Sequence, residues 1–182
     1  MDKISQIKQL ISEINRLHRE FFETGKIDKI NLSRTITHVP APHIYRYRLT
    51  LHESVNDYLM TAAIDIKYFY RVKTRESIDD KIARFSSSDD QYPVNNWLND
   101  IFGAHIILTA DEILAVMDLL DDWQEALGLK NWYLRDKEGD RGLHIYFNNK
   151  NNFYFPWELQ IWDAADLQSN IKNHEKFKRN FI

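Results

Sequence analysis

The sequence predicts an α/β (α+β) fold, a mixed sheet of about five strands with helices on its faces. Three observations carry that expectation. Apolar residues recur at helical spacing near the N-terminus and again after Asp111. Short β-branched and aromatic runs separate these segments, and no internal repeat or linker divides the chain. A single domain over 1–182 is expected, with a helical part over 1–60 and a sheet-bearing part over 61–182.

Taken in order, Ile4, Ile7, Leu10, Ile11, Ile14 and Leu17 define an amphipathic helix to about residue 23. The polar connection ETGKIDKINLSRTITHVPAP leads through its prolines to a second helix near 43–60. AAIDIKYFYRVK, 62–73, alternates in part and reads as a strand. In TRESIDDKIARF, Thr74 stands three residues before Ser77 and Ile78 pairs with Ile82, which predicts a short helix. SSSDDQYPVNN, from residue 86, reads as a turn-rich loop, and Ala104–Leu108 as a strand. Ile113, Leu114, Val116, Met117, Leu119, Leu120 and Trp123 predict one buried helix from Asp111 to just before Gly128. Trp132–Leu134, Leu143–Phe147 and Phe155–Trp162 supply the remaining strands. A last helix over Ala164–Arg179 closes the pattern, with Lys172, Lys176, Lys178 and Arg179 at the favourable cationic end of its dipole.

Composition narrows the function classes. With 182 residues, 43% of them apolar, five Trp, nine Tyr and ten Phe, the chain can bury a core and is not a disordered segment. A formal charge of −3 provides no basic field that would announce nucleic acid. The absence of cysteine removes disulfide scaffolds and thiolate metal sites. The charged N-terminus is no signal peptide, and no run of about 18 apolar residues predicts a membrane span. A cytoplasmic protein is expected.

The polar residues inside apolar elements are the candidates for chemistry. Glu158 and Gln160 sit two apart on one strand, so they share a face with Trp162, while Trp157, Leu159 and Ile161 share the other. A carboxylate in such a strand must meet water, a cation or a cleft, because burying it unpaired is costly. Arg71, Lys73, Lys81 and Arg84 read either as a solvated basic edge or as a clamp for a polyphosphate. Asp100 reads either as a structural residue at a strand entrance or as one ligand of a hard cation. His144 is either a phosphate or hydroxyl contact or a half-buried hydrogen-bonded histidine.

In order along the chain, these residues resemble the synthetase domain of the RelA/SpoT family, which makes the alarmones ppGpp and pppGpp. The stretch 71-RVKTRESIDDKIAR-84 is similar to that family's Arg-x-Lys-x-x-x-Ser-Ile-x-x-Lys segment, and 100-DIFGAHIIL-108 to its Asp-x-x-Gly-x-Arg strand. The loop 136-DKEGDRGLH-144 resembles Lys-x-Asn-Gly-Tyr-Arg-(Ser/Gly)-Leu-His, and 158-ELQIWD-163 resembles Glu-(Leu/Ile/Val)-Gln-Ile-Arg-Thr. The resemblance implies transfer of the β,γ-pyrophosphate of ATP to the ribose 3′-hydroxyl of GDP or GTP, with release of AMP. It places Asp100 and Glu158 at a Mg²⁺ site, with Glu158 helping to deprotonate the hydroxyl. Arg71, Lys73, Ser77, Lys81 and Arg84 would hold the ATP phosphates and His105 the adenine side. Lys137, Asp140, Arg141, His144 and Gln160 would serve the acceptor.

Three departures mark the nucleobase positions. Asp140 replaces the loop Tyr that stacks on guanine in the family, His105 an Arg that helps hold adenine, and Trp162 the Arg of the last motif. Aspartate cannot stack, though it can accept hydrogen bonds from the guanine edge. Pyrophosphate transfer is therefore expected with its acceptor open. The 3′ end of tRNA is an alternative acceptor, for which Lys67, Arg75 and the C-terminal lysines are the basic path and the acidic net charge is an adverse feature. A nucleotide- or protein-binding relative without catalysis is the third reading. No His-Asp dipeptide occurs, so the family's hydrolase domain is not expected; a C-terminal regulatory domain is not expected either. Family members often assemble, and the aromatic-rich first 60 residues are the expected interface of a homo-oligomer.

Overall fold

Five strands form one mixed sheet in the order β1-β2-β5-β4-β3. They are β1 (Tyr68–Val72), β2 (Phe102–Leu108), β3 (Leu129–Lys137), β4 (Asp140–Phe147) and β5 (Trp157–Asp163). The central pair, β2 and β5, is parallel, and every other pairing is antiparallel. This fold class is the one the sequence predicts. The computed structural model describes residues 2–61, 66, 68–86, 92–137 and 140–166. The expected helix beyond Asp166 with its lysines, the 62–65 start of the first strand, Lys67, and residues 87–91 of the serine-rich loop lie outside the described residues.

One face of the sheet is apolar. Ala104, Ile106 and Leu108 on β2, Leu159 and Ile161 on β5, and Leu143 and Ile145 on β4 are all buried there. Two long helices, α1 (Lys3–Glu23) and α2 (Ala41–Thr61), contribute Ile7, Leu10, Ile11, Ile14, Tyr47 and Leu51 to the same core. Asp2 caps α1 by accepting the Ser5 N–H at 2.7 Å, the arrangement that satisfies a free first-turn donor. Asn15 ties α1 to the sheet: its Oδ1 accepts the Trp157 indole N–H at 2.9 Å and its Nδ2 donates to the Leu127 carbonyl at 2.8 Å.

Between α1 and α2 lies an aromatic cluster of His18, Phe21, Tyr47 and Phe155. Burial lowers the His18 pKa from 6.5 to about 3, and that of His43, which packs on Tyr47 and Phe155, is lowered chiefly for the same reason. The unfolded chain thus takes up protons near pH 6.5 that the folded chain refuses until about pH 3. Stability is therefore expected to be fullest above pH 6.5 and to fall by up to a few kcal/mol as the pH drops toward 3. Urea-unfolding midpoints across this range check it. A smaller loss in His18→Gln than in the wild type is the expected mark of this residue.

Three expectations are corrected. The single helix after Asp111 is two, α5 (Ala110–Met117) and α6 (Leu120–Ala126), here numbered after α3 (Arg75–Ser86) and α4 (Val94–Trp97). Its apolar residues run round more than one helical face; the break lets Val116, Leu120 and Trp123 all bury, and it leaves Leu114 59% exposed. Residues 94–96, expected in the loop, belong to the short α4, whose Val94 and Trp97 enter the core. Phe155 belongs to the aromatic cluster instead of β5, which begins at Trp157 because Pro156 has no N–H for the ladder. Gly128, at φ +67°, ends the helical segment where a Cβ would come within 2.9 Å of the Asn149 backbone, so the β4–β5 turn can seat against it.

Candidate active site

Strand register assembles the opposite face. Glu158 is level with Gly103 on β2 and Tyr146 on β4, and Gln160 with His105 and His144. Arg71 on β1 pairs with Gly103, Phe69 with His105, and Tyr133 on β3 with His144. Directly paired residues project to the same side, so these residues form one polar and aromatic surface across all five strands.

Asp100, just before β2, gathers the cations. Lys81 Nζ donates to its Oδ1 at 3.0 Å, Lys73 Nζ to its Oδ2 at 3.1 Å, and Arg71 Nη2 lies 3.6 Å from Oδ2. Burial pushes the Asp100 carboxyl up, but Lys81, Lys73 and Arg71 together outweigh it and hold the carboxyl below its ordinary value. Lys73 is shifted down, by burial first and then by the neighbouring Lys81 and Arg71, against the pull of Asp100. Three cations from a strand and a helix thus converge on one carboxylate that a phosphate group could replace.

Glu158 is the hub of a second network. Tyr146 O–H donates to its Oε2 at 2.6 Å, Gln160 Nε2 donates to its Oε1, and His144 Nδ1 lies 3.3 Å from Oε2. Trp162 N–H in turn donates to Gln160 Oε1 at 2.9 Å. Burial alone would raise the Glu158 pKa; the His144, Gln160 and Tyr146 contacts overcome it and hold the group ionised, while Tyr146 is pushed far up by its own burial and by Glu158. Tyr133 stacks on His144 with centroids 4.8 Å apart and an angle of 11°.

The trio Glu158, Gln160 and Trp162 shares a face, as alternation predicts. Gly142 makes room for it: a Cβ there would sit 3.0 Å from Trp162 Cδ1 and 3.2 Å from the Ile161 carbonyl. Gly142→Ala is expected to displace the indole, break its bond to Gln160 and cost about 1–3 kcal/mol. A red shift of tryptophan emission with a lowered Tm would report it.

The remaining site residues divide. Ser77 serves the start of α3: its N–H donates to Thr74 Oγ1 at 3.2 Å, the N-capping bond, and its hydroxyl accepts from the same threonine. Arg84 is exposed in the last turn of α3. His105 is packed between Phe69 and Trp162, at 4.8 and 5.0 Å, so Phe69 is the exposed aromatic at that end. Arg141 alternates to the other side of β4 from His144 and pairs with Asp136 at 3.0 Å. Asp140 opens β4 in register with Lys137 of β3. Arg75, on the tRNA path considered above, lies 4.1 Å over the Tyr45 ring. Tyr146, unassigned from sequence, is brought to Glu158 by register alone.

The two expected metal ligands differ in fit. Asp100 Oδ1 has one lysine partner and a lone pair left, and the cations around it suit the phosphate oxygens that share a Mg²⁺ ion. Glu158 already accepts three side-chain hydrogen bonds, with O–H and N–H donors directed where a cation would need to be. Among the described residues no cluster of three or more His, Asp or Glu can hold an ion, so such a site depends on Asp100 with substrate phosphates and water. Among the same residues no helix is long and apolar enough to cross a membrane.

No family profile matches the sequence, and no curated protein matches it. Among solved structures, the chain is similar to small alarmone synthetase 1 of Bacillus subtilis bound to its product pppGpp. The two are 18% identical, with 76% of each chain covered and a TM-score of 0.45. It is similar to small alarmone synthetase 2 of the same organism, at 21% identity over 75% of this chain and 78% of that one, TM-score 0.44. A GTP pyrophosphokinase family protein of Streptococcus pneumoniae is 21% identical over 74% of this chain and 71% of that one, TM-score 0.41.

Proposed function

We propose that the chain is a magnesium-dependent nucleotide pyrophosphokinase that moves the β,γ-pyrophosphate of ATP to the ribose 3′-hydroxyl of GDP or GTP. The observation that carries this is the convergence of Arg71, Lys73 and Lys81 on Asp100, at the level of the sheet where Gly103 registers Arg71 with Glu158. A pure binding module has little use for three cations on a carboxylate beside a second, buried carboxylate.

Binding of ATP would exchange Asp100 for phosphate oxygens at Arg71, Lys73 and Lys81, which fixes the triphosphate in line with an acceptor. Mg²⁺, held by Asp100 with phosphate oxygens, would draw off charge developing on the transferred group. Phe69, 40% exposed beside His105, offers a ring at the ATP end of the sheet, and Lys137 at the hairpin offers a cation for acceptor phosphates. The exposed ring of Tyr133 lies between the hairpin and Glu158 and supplies the aromatic surface that Asp140 lacks.

AMP release from Mg-ATP tests this, with GDP, GTP, tRNA or no acceptor present. Release that requires GDP or GTP is the expected result. Release only with tRNA would move the acceptor to the RNA 3′ end, and none under any condition would leave a binding protein.

A further inference from the structure

We propose that β3 is a self-association edge. A second copy of this chain pairs antiparallel along it, about a two-fold axis at Tyr133, and joins the two five-stranded sheets into one. The proposal stands apart from the pyrophosphokinase reading, and it puts the interface of a homodimer on the sheet, away from the first 60 residues.

β3 ends the strand order, so alternate N–H and C=O groups along its outer side meet no further strand among the described residues. Such an edge pairs with other chains unless it is short, covered or charged. β3 is nine residues long, and its middle carries no charge. Trp132, Tyr133 and Leu134 stand in a row there, 38%, 41% and 55% exposed. The other exposed large apolar side chains among the described residues, Leu49, Phe69, Tyr92 and Leu114, stand singly in the sequence. The N-terminal helices turn their rings inward: Phe21 and Tyr47 are buried, and over residues 2–55 Leu49 is the one large apolar side chain left exposed.

The residues of the strand match their own copy. A two-fold axis normal to the sheet keeps every side chain on its own face, so opposed residues stand an even number of positions apart. Centred on Tyr133, Trp132 meets the partner's Leu134 on the face of Leu143 and Ile145, and Tyr133 meets its own copy on the face of His144. Asn131 meets the partner's Arg135, and Lys130 lies toward the partner's Asp136, so no like charges are opposed. Lys130 Nζ also donates to the Asn95 carbonyl at 2.7 Å and to Asn96 Oδ1 at 2.9 Å, and Asp136 holds Arg141 at 3.0 Å. The charges therefore select the register, while the apolar centre supplies the attraction. Neighbouring registers lose the match. Centring on Trp132 sets Leu134 against the partner's Lys130, and centring on Leu134 sets Trp132 against the partner's Asp136. In the joined sheet both polar faces lie on one side, with the partner's Tyr133 next to the Tyr133 that stacks on His144.

Sedimentation equilibrium of the full chain tests the proposal. The wild type is expected to pass from the mass of one chain to that of two as its concentration rises. Two double variants reverse the apolar centre: Trp132→Glu with Leu134→Glu opposes carboxylates, and Trp132→Lys with Leu134→Lys opposes ammonium groups. Each alone is expected to weaken self-association at least about tenfold, and an equal mixture of the two is expected to regain it, because Glu then meets Lys. Should a double variant not fold, a single thiol reads the same register. The chain has no cysteine, and mild oxidation of Tyr133→Cys is expected to give a covalent dimer at least about tenfold faster than that of Asn131→Cys, whose thiol faces the partner's Arg135. A wild type that keeps the mass of one chain at every concentration overturns the proposal and leaves the edge to a strand of another protein. A dimer that survives in both double variants also overturns it, since the contact then lies elsewhere. Failure of the mixture to associate, or equal cross-linking of the two cysteine variants, removes the register centred on Tyr133 and the proposal with it.

Discussion

Asp100→Ala is expected to destabilise the protein by about 3–5 kcal/mol, because it leaves partly buried cations without their counter-charge. Lys73 and Lys81 are 10% and 14% exposed, so water screens them little; Arg71, at 32%, contributes less. Asp100→Asn keeps one acceptor oxygen, while its NH₂ would face a lysine donor, and is expected to fall between wild type and alanine. The sharper mark is rescue: inorganic triphosphate should raise the unfolding midpoint of Asp100→Ala more than that of the wild type, since the anion meets cations that have lost theirs. Equal shifts in both proteins would mean that these side chains do not form the phosphate site.

Glu158→Ala has the second large expected effect. It strands the Tyr146 hydroxyl, the Gln160 amide and the His144 N–H in a buried setting, at a combined cost of about 3–5 kcal/mol. Glu158→Gln keeps an acceptor oxygen and is expected to cost about 1–3 kcal/mol. Urea titrations of both variants check the order, and the Tyr146→Phe variant separates the parts. With its one hydroxyl removed, the carboxylate keeps two of its donors, so the loss should be the smallest of the three. A Glu158→Ala midpoint within experimental error of wild type would show that the network contributes nothing.

What could be read in advance follows from how local each signal is. Side-chain alternation has a period of two residues, so Glu158, Gln160 and Trp162 were placed on one face without knowing any neighbouring strand. The same parity separates Arg141 from His144. The capping pattern of Thr74 and Ser77 was equally local, and it explains Ser77 as a helix-start residue. Non-local facts were not legible. Nothing in the chain order says that β5 lies between β2 and β4, which is what brings His105 and His144 to either side of Gln160 and Tyr146 onto Glu158. The basic residues were recognised as a group, but only the fold shows that three of them are already paired with Asp100. The break between α5 and α6 was hidden for a different reason: a segment apolar on several faces has no single period that marks where it turns.

Phosphorus NMR of Mg-ATP turnover in the presence of GDP bears most directly on the function. A pyrophosphokinase gives AMP and a new pyrophosphoryl ester on the acceptor in equal amounts, with no ADP from the donor. Formation of ADP with a phosphorylated acceptor or with free phosphate would contradict the account, as would ATP left intact with GDP, GTP and tRNA alike.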